Sequence, residues 1–495
     1  MLSTMLWIIL AVYGLAMFAV SPTARRFGEF YAGRRSDDRE VGQGLLIGSV
    51  VISWIFAKSI TNAANLGEEF GLVGAVAYAG WYLSIPVAGF VIYLIRRRAG
   101  VGSLTEFLTT KYGRGAAAAF MLVVMIRLVN EVWSNTAVVG TYFGPAGTLP
   151  YFAAAMVFAF LTLAYTLRGG LRSSILTDGI QFILGLALLA VVLAWVLPSD
   201  GPRRLVHSGT WTLAGGADLL LVALLQSFSY PFHDPVLTDR AFITDAKKML
   251  RGYLWSGVIA AAFIVLFGLV GVHARDAGLA AGQDTPFRVA QSFGLVALVV
   301  TTVLMMVSAG STLDSTLSSF SKAVVLDVGG ERESGPSAGL SRRLTRWLAD
   351  ADSLKAGRWM MVLAVAIGSV PLFTGAAILK ATTVSGTMVL GLAPAFLLFA
   401  WPRPRATAFH LALWPGVVLG VLYAAGRVPA GWSLGNGPNA SLLGVNVYGT
   451  FIVFAGFGAG AILDSMSRRA RVRAISTLLA VGVLVLAACL GHPHA

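Results

Sequence analysis

Stretches of about twenty apolar residues recur along the whole chain, and they leave little room for any fold except a bundle of membrane-crossing helices. "STMLWIILAVYGLAMFAV", Ser3–Val20, is the first. Fourteen candidate spans lie near residues 4–21, 43–67, 72–95, 116–143, 149–166, 174–197, 217–233, 252–274, 289–320, 359–378, 382–401, 407–425, 441–463 and 474–491. In hydrocarbon, backbone N–H and C=O groups must be satisfied within the protein, which a helix does locally. Only 12% of the 495 residues are charged, against about 25% in soluble domains. A lone cysteine, Cys489, excludes an intrachain disulfide framework or cysteine metal centre. Neither a phosphate-binding glycine loop nor an HExxH pair occurs, and no nucleophile–base set suggests an enzyme.

The net charge of +14 reads as the Lys and Arg excess of cytoplasmic loops rather than as a nucleic-acid footprint. With the N-terminus outside, 29 of the 37 Lys and Arg residues fall in inner connections and 6 in outer ones, while Lys58 and Arg127 fall inside spans. This orientation puts the long Lys322–Arg358 connection in the cytoplasm and 197–211 outside. Within that connection "LSRRLTRWLADA" is either an amphipathic surface helix or a solvated linker. The first apolar run lacks a preceding basic region and is followed by Arg25 and Arg26, so it is expected to be a retained helix rather than a signal peptide. The expected location is the plasma membrane, the inner one of a prokaryote.

Polar groups interrupt the apolar stretches, and an ionisable one at a helix centre costs roughly 2.5–3.5 kcal/mol on insertion scales. The first such place is "SWIFAKSITNAANLGEEFGLVG", Ser53–Gly74. Thr61, Asn62 and Asn65 weaken the helix and Gly67 is expected to end it, giving a discontinuous helix with freed carbonyls beside a cavity. Lys58 either snorkels to the outer interface or faces the centre, toward substrate or Asp314. The second place is "SAGSTLDSTLSSFS", where Ser308, Ser311, Thr312, Ser315 and Ser319 share one helix face beside Asp314. Hydroxyls and carbonyls suit a hard monovalent cation. Small-residue packing accounts for the serines but not for Asp314. The third is Asp178, either a helix N-terminal acid or part of an ion route. The fourth is "IRLVNEVW", in which Arg127 and Glu131, four apart, form an ion pair within the bundle. Finally, Pro231 and Pro235 in "LLQSFSYPFHDPVLTDRAF" break a helix five spans after the first break, the pattern of an inverted repeat.

Four stretches, in this order, resemble the sodium/solute symporter family, which includes sodium/galactose and sodium/proline symporters: "FGEFYAGRR", "GSLTEFLTTKYG", "YTLRGGLRSSILTDGIQ" and "GSTLDSTLSS". The resemblance implies an all-α integral membrane fold of about 14 helices, with two inverted five-helix repeats and broken first and sixth core helices. Residues 1–42 then hold an extra helix and inner loop, 43–200 the first repeat, 201–402 the second, and 403–495 three further helices. It further implies a principal sodium site made of carbonyls of Ile52, Ile55 and Ser308 with hydroxyls of Ser311 and Thr312. A second cation site in some members would use Asp178, Ser311, Asp314 and Ser315. An aspartate at 314 departs from the hydroxyl usual there, and Lys58 departs from the uncharged or acidic groups of sugar-transporting relatives. Substrate contacts would come from Trp54, Lys58, Ser59, Asn62, Gln226, Tyr230, Ser385 and Thr387.

The expectation is a secondary active transporter in the lipid bilayer that imports a small polar solute with Na+, an anionic solute if Lys58 binds it. No organic cofactor and no nucleic acid are expected. The rival readings are a proton-coupled or ion-independent transporter with Lys58 replacing a cation, and a solute sensor working with a partner signalling protein.

Overall fold

The computed structural model describes residues 2–34, 40–279, 284–328, 353–374 and 378–467, and every regular element among them is helical. In chain order the helices are α1 Leu2–Val20, α2 Phe27–Ala32, α3 Gln43–Trp54, α4 Ala57–Phe70, α5 Leu72–Ala79, α6 Ser84–Ala99 and α7 Leu104–Tyr112. Then come α8 Arg114–Thr141, α9 Leu149–Gly169, α10 Leu171–Asp200, α11 Pro202–Val206, α12 Ala217–Gln226, α13 Pro235–Thr238 and α14 Ala246–Asp276. The rest are α15 Thr285–Ser292, α16 Leu295–Lys322, α17 Ser353–Ser369, α18 Ile378–Met388, α19 Leu392–Leu397, α20 Ala406–Ala424 and α21 Ala440–Ser465.

Among the described residues ten helical segments are long and apolar enough to cross a bilayer, and the bent pair α3–α4 makes an eleventh. Two more of the expected fourteen spans are short broken pieces: α12, and α18 with α19. The last, 474–491, lies outside the described residues, as do "LSRRLTRWLADA" and the middle of the Lys322–Arg358 connection.

The first break is real but lies upstream of its expected place. α3 stops at Trp54, and Ile55 (φ −81°, ψ 75°) and Phe56 (φ −62°, ψ 145°) leave the helical region. α4 then departs at 60°. It runs through the polar stretch and through Gly67, ending only at Gly71, whose φ is +69°. Gly67 serves packing instead: a Cβ there would lie 2.3 Å from the Gly268 carbonyl oxygen of α14. Gly271 and Ala64 repeat the close approach, as small residues do where membrane helices cross. The second break follows α12, where the chain passes through 3-10 turns at Tyr230–His233 and Asp239–Phe242 on either side of α13. Pro231 and Pro235 supply no N–H to continue the ladder.

Two of the family-like stretches lock together. Gly170 joins α9 to α10 at φ 55°, ψ −136°, a conformation open in practice to glycine alone. A Cβ on it would meet the Phe30 carbonyl oxygen at 2.5 Å. The turn brings Arg172 to 2.8 Å from Glu29, which also accepts the backbone N–H groups of Arg25 (2.8 Å) and Arg26 (3.2 Å). The Arg25 N–H, then those of Arg26 and the charge of Arg172, hold the Glu29 carboxyl below its ordinary range against the opposing effect of burial. A lowered carboxyl stabilises the fold above its unfolded pKa and stops doing so as pH falls through the folded value. Glu29→Gln is therefore expected to lower stability by about 1 kcal/mol at pH 7, read as melting temperature in detergent. The gap should close below about pH 4. A gap independent of pH would mean that packing, not charge, is lost.

Candidate ion and substrate site

The break between α3 and α4 leaves carbonyls that the helix no longer uses, and side chains from other helices take them. The Ser308 hydroxyl of α16 donates to the Ile55 carbonyl. Thr312 Oγ1 lies 3.3 Å from the Ser53 carbonyl and 3.1 Å from that of Ser308. Tyr82 donates to the Trp54 carbonyl at 2.9 Å. Ile55, Ser308 and Thr312 thus meet, and Ile52 lies one residue before Ser53 in the last turn of α3. These are neutral oxygens of the kind a hard cation takes. Ser311 turns away from them, donating to Asp178 Oδ1.

Lys58, in the first turn of α4, reaches neither the interface nor Asp314. It is 1% exposed, and its Nζ lies 2.6 Å from Glu131 Oε1 and 3.2 Å from Ser134 Oγ in α8. The same Glu131 oxygen contacts Arg127, so the helical pair expected in "IRLVNEVW" is present with a third partner. Arg127 continues to Asp234 Oδ2 at 2.8 Å, and Trp54 Nε1 donates to that oxygen at 3.1 Å. Asp234 Oδ1 caps α13 through the Val236 N–H at 3.1 Å. The result is one circuit of fully buried groups that runs from Trp54, before the first break, to Asp234 at the second, and through Arg127 and Glu131 of α8 to Lys58, after the first.

Aromatic rings surround this circuit. Trp54 lies 5.9 Å from Tyr82 and 6.2 Å from Tyr230, edge to face. The Arg127 guanidinium lies over Tyr230 at 5.0 Å and over Phe56 at 5.3 Å. His233, beside Tyr230, is 3.2 Å from Ser385 Oγ. Two smaller polar sets flank the rings. Ser59 and Asn62 both meet the Tyr78 hydroxyl, at 3.1 and 3.3 Å. Gln226 accepts from Trp81 Nε1 at 2.9 Å and donates to Asn446 Oδ1 of α21 at 2.9 Å, with Thr387 Oγ1 3.4 Å away. The eight expected substrate residues therefore lie in the buried circuit (Trp54, Lys58), on Tyr78 (Ser59, Asn62), about Gln226 with Thr387, and at Tyr230 and its neighbour His233, which meets Ser385.

A second charged group lies between α10 and α16. Asp178 is bound by Ser49 at 2.5 Å and by the Arg240 guanidinium at 2.7 Å. Asp314 takes hydroxyls from Tyr165 and Thr177, each at 2.9 Å, and from Ser315 at 3.2 Å. Asp178, Asp314 and Ser315 are thus brought together, with Arg240 among them.

Several members escape a reading of the sequence. Asp234, His233 and Arg240 lie in the proline-rich stretch noted for its break, but just past the apolar run, where they count as loop charges. Asn446, Tyr165 and Thr177 look like ordinary polar residues of a span. Burial of an arginine at 0% exposure depends on partners 62 to 191 residues away, which no local pattern encodes.

The Lys58 contacts give a test. Lys58→Met is expected to destabilise the protein by about 3 kcal/mol, because Glu131 loses one of its two buried cations. Adding Glu131→Gln should recover a large part of the loss, and adding Asp314→Asn none. Recovery through Asp314 in thermal melting would contradict the pairing.

No family model matches the chain. The sodium/pantothenate symporter of Escherichia coli is 22% identical over 281 residues, 53% of this chain and 57% of that protein. The urea-proton symporter DUR3 of Oryza sativa subsp. japonica is 26% identical over 188 residues, 36% of this chain and 26% of that one. The matches thus span a quarter to somewhat over half of these relatives. The solved structure of a Na+-coupled sialic acid symporter, in a substrate-bound outward-open state, superposes with a TM-score of 0.66 at 17% identity, covering 94% of this chain and 98% of that one. The proteins it is similar to are transporters and not enzymes.

Proposed function

We propose that this chain, similar in sequence and in fold to the sodium/solute symporters, imports a small polar solute together with sodium by alternating access. The observation that carries the reading is the meeting of Ser308 and Thr312 with the carbonyls freed at Ile55 and Ser53. It supports sodium at the first break, held by oxygens of Ile52, Ile55, Ser308 and Thr312, while Ser311 stays on Asp178. The aromatic cluster of Trp54 and Tyr230, with the polar groups of Ser59, Asn62, Gln226, Ser385 and Thr387, is the surface offered to the solute.

Sodium bound there bridges α3–α4 to α16, favouring the arrangement in which the solute site is assembled. Coupling is then a population shift set by differential affinity, with no covalent step. The reading takes 43–200 and 201–402 as two repeats that rock about the two breaks, with the Lys322–Arg358 connection inside the cell.

Proteoliposomes offered a mixture of small polar metabolites are expected to accumulate a solute under an inward sodium gradient and to lose it when that gradient collapses. Accumulation driven by a proton gradient alone would replace sodium by protons. Ser308→Ala with Thr312→Ala should raise the sodium concentration for half-maximal thermal stabilisation about tenfold, the loss of roughly 1.4 kcal/mol of ion binding. An unchanged midpoint would remove the site from the first break. For orientation, with Cys489 replaced by Ser, a cysteine at position 207 should react with an impermeant thiol reagent in intact cells, and one at 334 should not. Reversed labelling would invert the topology.

A further inference from the structure

Arg240 is the feature that the proposed cycle leaves unexplained. It follows the second break, in the 3-10 turn Asp239–Phe242, and is completely buried. One nitrogen, Nη2, lies 2.7 Å from Asp178 Oδ2, 2.6 Å from Ser315 Oγ and 3.3 Å from Ser174 Oγ. Nε lies 2.7 Å from Ser49 Oγ, and Nη1 is 2.5 Å from the Val236 carbonyl. A carboxylate and two hydroxyls from α10 and α16, converging on one point, are an oxygen set that a monovalent cation could occupy. That point is taken by a guanidinium nitrogen.

A metal ion entering there would have to expel a buried cation whose bonding partners are these same oxygens. An unpaired guanidinium in a low-dielectric interior is costly, and arginine does not lose its proton to relieve it. Asp314, on the same face of α16, has only hydroxyl partners in Tyr165, Thr177 and Ser315 and leaves the guanidinium to Asp178.

We infer that Arg240 stands permanently in the place of a second coupling cation, so that the chain binds one sodium ion, at the first break. This rests on the sodium reading above. The same geometry implies that removing the guanidinium, while keeping Asp178, Ser174 and Ser315, opens a latent second site.

Equilibrium binding of ²²Na+ to the full chain purified in nanodiscs tests this without knowledge of the solute. The wild type should bind one equivalent, Arg240→Gln two, and Arg240→Gln with Asp178→Asn one again. Two equivalents in the wild type would overturn the inference and leave sodium coupling standing. No binding in the wild type would overturn sodium coupling itself. One equivalent in both the wild type and a folded Arg240→Gln would show that the guanidinium does not exclude an ion. Should Arg240→Gln fail to fold, Arg240→Lys serves in its place: a shorter, single-headed cation should release Ser49 yet still hold the protein at one equivalent, and two would overturn the proposal.

Discussion

A charge in hydrocarbon needs a partner, and here that requirement is met across helices rather than along them. Glu131 accepts both Lys58 and Arg127, and Arg127 reaches Asp234. Because Lys58 follows one helix break and Asp234 the other, α8 ties the two irregular segments together. Prolines set the second break, but the first carries no residue that stabilises it alone. Ile55 and Phe56 have no special tolerance for a non-helical backbone. They hold their conformation because Ser308, Thr312 and Tyr82 take the freed carbonyls and because the ions on either side are anchored. The first break is thus a product of tertiary structure, and that is why its carbonyls can carry a site.

Chain-wide features were legible in the sequence because they depend on solvent alone. Runs of apolar residues mark the long helices, and the "SAGSTLDSTLSSFS" periodicity puts Ser308 and Thr312 on one face, the face that meets the first break. The position of that break was not legible in its local residues, although the carbonyls implied by the family resemblance, Ile52 and Ile55, lie next to it. Asn62, Asn65 and Gly67 look like the weak point, yet α4 passes through all three, since Gly67 is needed for contact with Gly268. Weak helix formers mark a break only when nothing else explains them. Lys58 was recognisable as central, but its partner was not. Glu131 already had a sensible neighbour in Arg127, four residues away, and nothing local says that one carboxylate oxygen will serve two cations.

Arg240 shows the complementary difficulty. In a count of loop charges it is one of many cytoplasmic arginines supporting the orientation. In the fold it is among the most deeply buried side chains. The proline-rich segment around it is too short and too polar to register as a span, yet it re-enters the protein interior because the second break folds it against α10 and α16. Discontinuous helices therefore blur the boundary between loop and membrane on which hydropathy depends.

The hydrogen bond between Gln226 and Asn446 bears on how peripheral α21 is. By connectivity α21 lies beyond both proposed repeats. Through Asn446, however, it shares a single amide with the end of α12 and the indole of Trp81. The helix is an annex by topology and a neighbour of the expected solute contacts by bonding. A change at Asn446 is then a change to the partners of Gln226 itself.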